Sequence, residues 1–455
     1  MDAICAISTP YGTGGIALIR MSGEGSIAIA DTLFRGRTPL RDAQGGTVHF
    51  GRIIRGNEVL DEVLCSVFRA PHSFTGEDTV EIACHGSIYI QQELLRWLID
   101  AGCRAAEPGE FTRRAFLNGK MDLTQAEAVA DLIAAQSKAE KDLALSQLRG
   151  SVSDELAVLR ERLLHFTSLI ELELDFADHE ELEFADRGEL DALAKEIETK
   201  LNALLSSFRT GNAIRNGIPV AIIGAPNVGK STLLNALVGE QRAIVSDIQG
   251  TTRDTVEDTL ILDGILFRII DTAGIRETSD AIEQMGVERS IQAAERAQII
   301  IWMEAYPQPL PENKGDEHLA TSLAAVKGTV IRVVNKCDLI PPSSLPLRGE
   351  TGRDVPLLVS AKNGEIEPLR RELVRIAKEG MQSSVVMLSN IRHYEAISRA
   401  HEAILRVQEG LLNGLSGELL SMDLQECLGA IGEVTGQITN AEVLSNIFSK
   451  FCIGK

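Results

Sequence analysis

Short runs in which apolar residues alternate with polar ones or cluster together, "GGIALIRM", "VHFGRII", "VLCSVFRA" and "DTVEIACHG", punctuate residues 1 to about 118 and predict β-strands. Among them "SIYIQQELLRWLIDAG" spaces its apolar residues as an amphipathic helix and ends on Gly102. Strands separated by turn residues and a helix predict a compact α+β domain. From Leu123 the texture changes: "LTQAEAVADLIAAQSKAEKDLALSQLRG" and the acidic stretch that follows through Leu205 are rich in Ala, Leu, Glu and Lys at helical spacing, and predict long helices. Alternation of strand and helix resumes at "IPVAIIG" from Ile218 and ends after an amphipathic helix near Ala377, the pattern of an α/β nucleotide-binding domain. Residues 382 to 455 return to helices: "IRHYEAISRAHEAILRVQEGLL", "ELLSMDLQECLGAIGEV" and "NAEVLSNIFSKF", the last with Asn440 as its cap. Helical texture on both sides of a self-contained α/β unit predicts insertion. The expected layout is an α+β domain at 1–118, the first half of a helical domain at 119–215, the α/β domain at 216–380, and the second helical half at 381–455.

Composition narrows the class. The chain has 455 residues, 44% of them hydrophobic, enough for several cores. Its beginning, "MDAICAISTPYGTGG", lacks a basic region followed by an apolar core, and no run approaches the length of a membrane span, so a cytoplasmic protein is expected. Seven cysteines stand without a C-x-x-C pair and read as reduced, mostly buried thiols. A formal net charge of −20 argues against broad attraction to nucleic acid. Any RNA contact must be local, with "RGRTPLR" at 35–41 and Arg113 and Arg114 as candidates; solvated surface arginines are the favoured alternative.

Chemistry enters at "GAPNVGKS", Gly224 to Ser231, which follows a strand and opens a helix, as the G-x-x-x-x-G-K-[ST] phosphate loop requires. Amides of Asn227, Val228, Gly229, Lys230, Ser231 and Thr232 can cradle phosphates, Lys230 can bridge the β and γ phosphates, and Ser231 can ligate magnesium. "GTTRD" supplies Thr251 and Thr252 to sense the γ-phosphate and the magnesium ion. Asp271, Thr272, Ala273 and Gly274 form the second switch. In "NKCD", Asn335, Lys336 and Asp338 follow a strand. The Asp338 carboxylate can accept from the N1–H and amine of guanine, an edge that adenine lacks. Ser360, Ala361 and Lys362 of "SAK" form the loop beside the base. These elements in this order point to GTP, and over residues 218–377 they resemble the translation-factor-related class of GTPases.

One position departs from the Ras-type arrangement. Where a water-orienting Gln would follow Asp-Thr-Ala-Gly, the chain has Ile275. Asn227 can brace the phosphate loop, or its oxygen can help hold a monovalent cation against the phosphates; Arg253 or Arg276 could instead act as a finger across a dimer. Glu283, in "SDAIEQMGVERS", is the candidate carboxylate for water, with a solvated helix carboxylate as the alternative.

The remaining motifs carry a resemblance. "STPYGTGGIALIRMSG", "PHSFTGEDTVEIACHG", "PGEFTRRAFLNGKMDLTQAEAVADLI" and the terminal "FCIGK" together resemble the tRNA modification GTPase family MnmE, also called TrmE, over essentially the full chain. The resemblance implies a Ras-like P-loop GTPase domain inserted in a helical domain and preceded by an α+β folate-binding domain that dimerises. It implies GTPase domains that meet across that homodimer during turnover. It also implies an FAD-containing partner, MnmG (GidA), with which the family installs an aminomethyl or carboxymethylaminomethyl group at carbon 5 of the wobble uridine of certain tRNAs. By motif, Arg20, Glu81, Lys120 and Lys455 would contact a tetrahydrofolate derivative, in the 5,10-methylene or 5-formyl form. Asn227, Ser246, Ile248 and Thr251 would hold potassium, Ser231 and Thr252 magnesium, and Glu283 would orient water. Cys452 could act as a nucleophile or fill space as a small hydrophobe. A ribosome-assembly GTPase is the competing reading. Such proteins often add a KH-type domain or a basic tail, and neither is present here.

Overall fold

The computed structural model describes residues 1–175, 186–239, 258–270, 291–306, 328–340, 356–381 and 386–454. The chain divides into two compact units. One comprises Met1–Ala130, Gln147–Glu161 and Leu428–Lys455, the other Asp131–Ser146 and Arg162–Cys427.

The first unit holds β1 (Ile4–Ile7), β2 (Ile16–Ser22), α1 (Ser26–Leu33), β3 (Phe34–Gly36), β4 (Thr47–Arg55), β5 (Glu58–Phe68), β6 (Thr79–His85), α2 (Ile88–Asp100), β7 (Arg104–Ala105) and α3 (Glu110–Leu117). The sheet order is β3-β4-β5-β6-β2-β1-β7, antiparallel except where β7 joins β1. Strand alternation sorts the faces. Val63, Cys65, Ile82, Ile19 and Met21 point to one side, where Leu94, Trp97 and Leu98 of α2 and Ile27 and Ala30 of α1 close the core. On the other face Ile4, Ala6 and Ala106 pack on Phe111 of α3. The short helices α1 and α3 break the expectation of one helix in this domain; they start from Gly25 and Gly109 in a left-handed conformation, without side-chain caps.

Helices follow: α4 (Leu123–Ala134), α5 (Lys138–Leu148), α6 (Ser151–Asp175) and α7 (Arg187–Asn216). Asp186 caps α7 by accepting from the amides of Gly188 and Glu189 at 2.7 and 3.1 Å. The helix ends on Gly217, and the chain enters β8 (Ile218–Gly224) directly. Then come α8 (Lys230–Val238), β9 (Asp258–Leu262), β10 (Ile265–Ile269), β11 (Ile299–Ala305), β12 (Thr329–Asn335), β13 (Leu357–Leu358) and α9 (Glu367–Met381). The sheet runs β13-β12-β11-β8-β10-β9, parallel except at the edge strand β9. Its strands are continuous apolar runs because helices cover both faces. Leu233, Leu237, Leu369 and Leu373 close one side, Ala293, Ala294 and Ala297 the other.

After α9 the chain forms α10 (Ile391–Leu412), α11 (Gly417–Thr435) and α12 (Ala441–Phe448). Asn440 caps α12 as the sequence predicts, accepting from Val443 N–H at 2.8 Å. In the second unit α10 returns to α7: Phe208 and Tyr394 stack at 4.5 Å, and Leu388 N–H donates to Ser207 Oγ at 3.0 Å. The P-loop domain is therefore inserted between two helical segments that pack on each other. No described helix is long and apolar enough to cross a membrane.

Candidate functional site

The phosphate loop leaves the carboxyl end of β8, a central strand whose neighbours β10 and β11 come later in the chain, the position where open α/β sheets bind ligands. Asn227 is exposed and left-handed, with φ 62°, and Gly229 opens α8. Lys230 curls back over the loop. Its Nζ donates to the carbonyls of Gly224 and Ala225 at 2.7 and 2.9 Å, and burial holds its pKa below the usual lysine range. An ammonium desolvated in this way and held, among the described residues, by neutral carbonyls suits a phosphate, whose charge would offset the desolvation. Ser231 and Thr232 lie in the first turn of the helix, where amides lack intrahelical acceptors.

The "NKCD" and "SAK" segments converge on that loop. Asn335 is buried at the end of β12. Its Nδ2 donates to the Val228 carbonyl at 2.9 Å, while its Oδ1 accepts from Ala361 N–H at 3.0 Å. A Cβ on Gly229 would lie 2.3 Å from Asn335 Nδ2, so glycine is required for this approach. Lys336 is left-handed, with φ 64°, which turns the chain so that Asp338 stands exposed with Oδ1 accepting from Ser360 Oγ at 2.7 Å. Lys362 is exposed beside it. One carboxylate, oriented by a hydroxyl and open to solvent, forms an acceptor edge suited to guanine. Ser246, Ile248, Thr251, Thr252, Asp271, Thr272, Ala273, Gly274, Ile275 and Glu283, with Arg253 and Arg276, lie outside the described residues, as does Lys455.

In the first unit Arg20 and Glu81 face each other in register on β2 and β6 and form an ion pair at 2.7 Å, partly exposed. The Arg20 guanidinium lies over Phe74 and Phe111, at 5.4 and 5.7 Å from the ring centres. The loop that carries Phe74 also reaches Lys120, whose Nζ donates to the Pro71 carbonyl at 3.0 Å. A charged pair on a sheet face, with aromatic rings beside it, is a donor and acceptor set that fits a pterin or a glutamyl carboxylate. Cys452 is exposed, which removes the reading of it as a buried space-filler. Its tail is anchored on the same domain: Gly109 N–H donates to the Cys452 carbonyl at 3.4 Å, and Ser8 Oγ donates to the Gly454 carbonyl at 3.1 Å.

Arg114 is corrected on both readings. It is 2% exposed and pairs with Glu110, Glu77 and Asp2, so it is neither a solvated surface arginine nor an RNA contact. The cysteines are buried as expected except Cys337, which is half-buried, and Cys452. Sequence reasoning missed Phe74 and Phe111; their spacing from Arg20 along the chain hid a contact that only sheet register reveals.

A phosphate loop at the end of a central parallel strand, tied to an Asn and an Asp whose groups suit a guanine edge, marks a P-loop GTPase. The family model for the MnmE helical domain matches residues 123–452, and that for the GTP-binding protein TrmE N-terminus matches residues 3–120. Curated relatives agree: the tRNA modification GTPase MnmE of Parabacteroides distasonis is 54% identical, covering 100% of both chains, and that of Bacteroides thetaiotaomicron is 50% identical, covering 100% of this chain and 99% of its own. The MnmE of Flavobacterium johnsoniae is 46% identical over the same extent. This chain belongs to the MnmE family of tRNA modification GTPases.

Proposed function

We propose that this chain is a potassium-dependent GTPase that, with an FAD-containing partner of the MnmG (GidA) type, modifies carbon 5 of the wobble uridine of certain tRNAs, using a one-carbon unit from a tetrahydrofolate. The observation that carries this reading is the placement of the "FCIGK" tail. Ser8, which binds the Gly454 carbonyl, also donates its N–H to Leu18 O, two residues along β2 from Arg20. The tail is thereby tied to the end of β1 that pairs with the Arg20-bearing strand β2.

The roles in this reading are as follows. Arg20 and Lys120 meet the carboxylate of the folate and Glu81 its pterin, with Phe74 as an apolar wall. Cys452 stands free to react, and Lys455 adds positive charge at the tail. In the GTPase domain the loop amides and Lys230 hold phosphate charge, while Asn335 and Asp338 select guanine, with Ser360 orienting the carboxylate. Ser231 and Thr252 would hold magnesium, which supplies neutralisation of phosphate charge. The exposed Asn227 oxygen, with Ser246, Ile248 and Thr251, would hold potassium. Glu283 orients the attacking water in place of the residue that Ile275 cannot supply.

A homodimer is supported by the open face of the first sheet. Phe50 pairs with Leu64, Leu64 with Ala83, and Ala83 with Leu18, so an apolar row crosses four strands. Phe50 is 64% and Leu64 49% exposed, and Ile16 and Val48 extend the patch beside the Arg20–Glu81 pair. A cytoplasmic location follows from tRNA as substrate. The test is mass spectrometry of wobble uridine from cells with and without the gene, together with equilibrium dialysis against 5-formyltetrahydrofolate. Loss of the modified nucleoside and folate binding that is abolished in Arg20→Ala are expected. Unchanged nucleosides in the deletion strain would overturn the reading.

A further inference from the structure

The β9–β10 hairpin occupies a special place in the chain. It joins the stretch carrying Thr251 and Thr252 to the stretch carrying Asp271 to Gly274, the two segments that sense a γ-phosphate. The strands are five residues each, fully paired, and β10 is bonded in turn to β8, which ends in the phosphate loop. A two-residue turn, Asp263–Gly264, closes the hairpin with φ 50° and 76°, the positive angles that a tight type I′ turn requires. Short strands paired along their full length and closed by so tight a turn form a stiff unit.

That turn is held by helices of the second unit. The Gly264 carbonyl accepts from Ala139 N–H at 3.0 Å. Ala139 lies in the first turn of α5, where amides have no intrahelical acceptor, so the hairpin itself completes the cap. The neighbouring amides are already satisfied by a reciprocal Ser137–Glu140 box: Glu140 N–H donates to Ser137 Oγ at 3.2 Å, and Ser137 N–H to Glu140 Oε2 at 3.3 Å. A Cβ on Gly264 would sit 3.0 Å from Lys138 Cβ. On the other side Asp263 forms an ion pair with Lys378 of α9. A further fastening lies just before α5, where Asp131 near the end of α4 accepts from Arg215 at 2.8 Å in the last turn of α7. At its beginning the same helix α4 buries Leu123 and Ala126 against Phe448 and Phe451, the residue that precedes Cys452.

We propose that the Asp263–Gly264 turn is the contact through which α5 reads the nucleotide state; the turn is a positioning element for the modification reaction. This rests on the function proposed above and supplies the link between GTP turnover and chemistry on the tRNA. The alternative role for such a contact is a static anchor. The two differ by linkage: an anchor shifts affinity for every nucleotide alike, whereas a contact that senses the nucleotide must, by reciprocity, alter the preference between GTP and GDP.

The test uses the full-length chain. Affinities for GDP and for a non-hydrolysable GTP analogue are measured for wild type, Asp263→Lys, Lys378→Asp and the double swap, and wobble-uridine modification is measured in cells carrying each. The expected result is a change of about fivefold or more in the ratio of the two affinities in either single variant, the range of ordinary allosteric couplings, with reduced modification and recovery of both in the swap. An unchanged ratio in both single variants, with wild type binding both nucleotides, overturns the inference and leaves the proposed function standing. Wild-type protein that bound no guanine nucleotide would overturn both.

Discussion

Asn335 is hydrogen-bonded to Val228 across 107 positions of chain, its side-chain amide donating to the loop carbonyl at 2.9 Å. The other end of the same amide accepts from Ala361 at 3.0 Å. The residue that would identify guanine therefore also ties the phosphate loop to the loop beside the base. In Asn335→Ala the Val228 carbonyl and the Ala361 amide lose their partners in a buried setting, at about 1–3 kcal/mol for each group left unsatisfied. Thermal denaturation should show a clear loss of stability, and calorimetric titration a weakened affinity for GDP. A variant with wild-type melting and GDP binding would show that neither bond matters.

Asp338 is expected to set base choice. Asp338→Asn exchanges an acceptor for a donor, which suits the additional carbonyl of xanthine and opposes the guanine N1–H. Ser360 can still donate to the remaining oxygen, so the loop should keep its shape. Competition between GTP and xanthosine triphosphate should reverse in favour of the latter; retained GTP preference would contradict the assignment.

How far the sequence disclosed these sites depended on whether the chemistry was local. The phosphate loop, the "NKCD" segment and the inserted position of the α/β domain are legible because each is a contiguous motif in a strand-to-helix context, and the α7–α10 packing follows from helical texture on both sides. Contacts made by register are not. Arg20 and Glu81 lie 61 positions apart and meet only because β2 pairs with β6. Arg114 looked like a surface charge because a single sequence does not show the three carboxylates that gather around it. Helix α1 escaped notice because its eight residues fill little more than two turns, too few for periodicity to speak.

The anchored tail gives a prediction that separates the two activities. Gly454 has φ 90°, and a Cβ there would meet the Ile7 carbonyl at 2.6 Å, so Gly454→Val must lift the tail from β1. The position belongs to the first unit, and the GTPase domain to the second. We expect GTP hydrolysis close to wild type and a large loss of wobble-uridine modification, read by mass spectrometry of cellular tRNA. Normal modification in this variant would sever the tail from the chemistry.

If the exposed Asn227 oxygen belongs to a cation site, hydrolysis should be faster in potassium than in sodium. Asn227→Ala should lose that stimulation and still bind nucleotide, because the loop amides and Lys230 remain. Equal rates in the two salts would remove the cation and return Arg253 or Arg276 to consideration as fingers.

The final expectation concerns the residue after the second switch motif. Ile275 offers no hydrogen-bonding atom beyond its backbone, so it can shield the site from bulk water but cannot align the nucleophile. A carboxylate can do so directly or through a second water, and Glu283 follows closely in the chain. Removing one such positioning or general-base contact typically slows the reaction by about 10²–10⁴-fold. Glu283→Ala should therefore bind GTP with ordinary affinity while its single-turnover hydrolysis falls by about that factor. Ile275→Gln should not restore the rate if the water is aligned by Glu283, eight residues further on. Single-turnover rates near wild type in Glu283→Ala would show that the water is aligned by another group, leaving the backbone of the second switch as the remaining source.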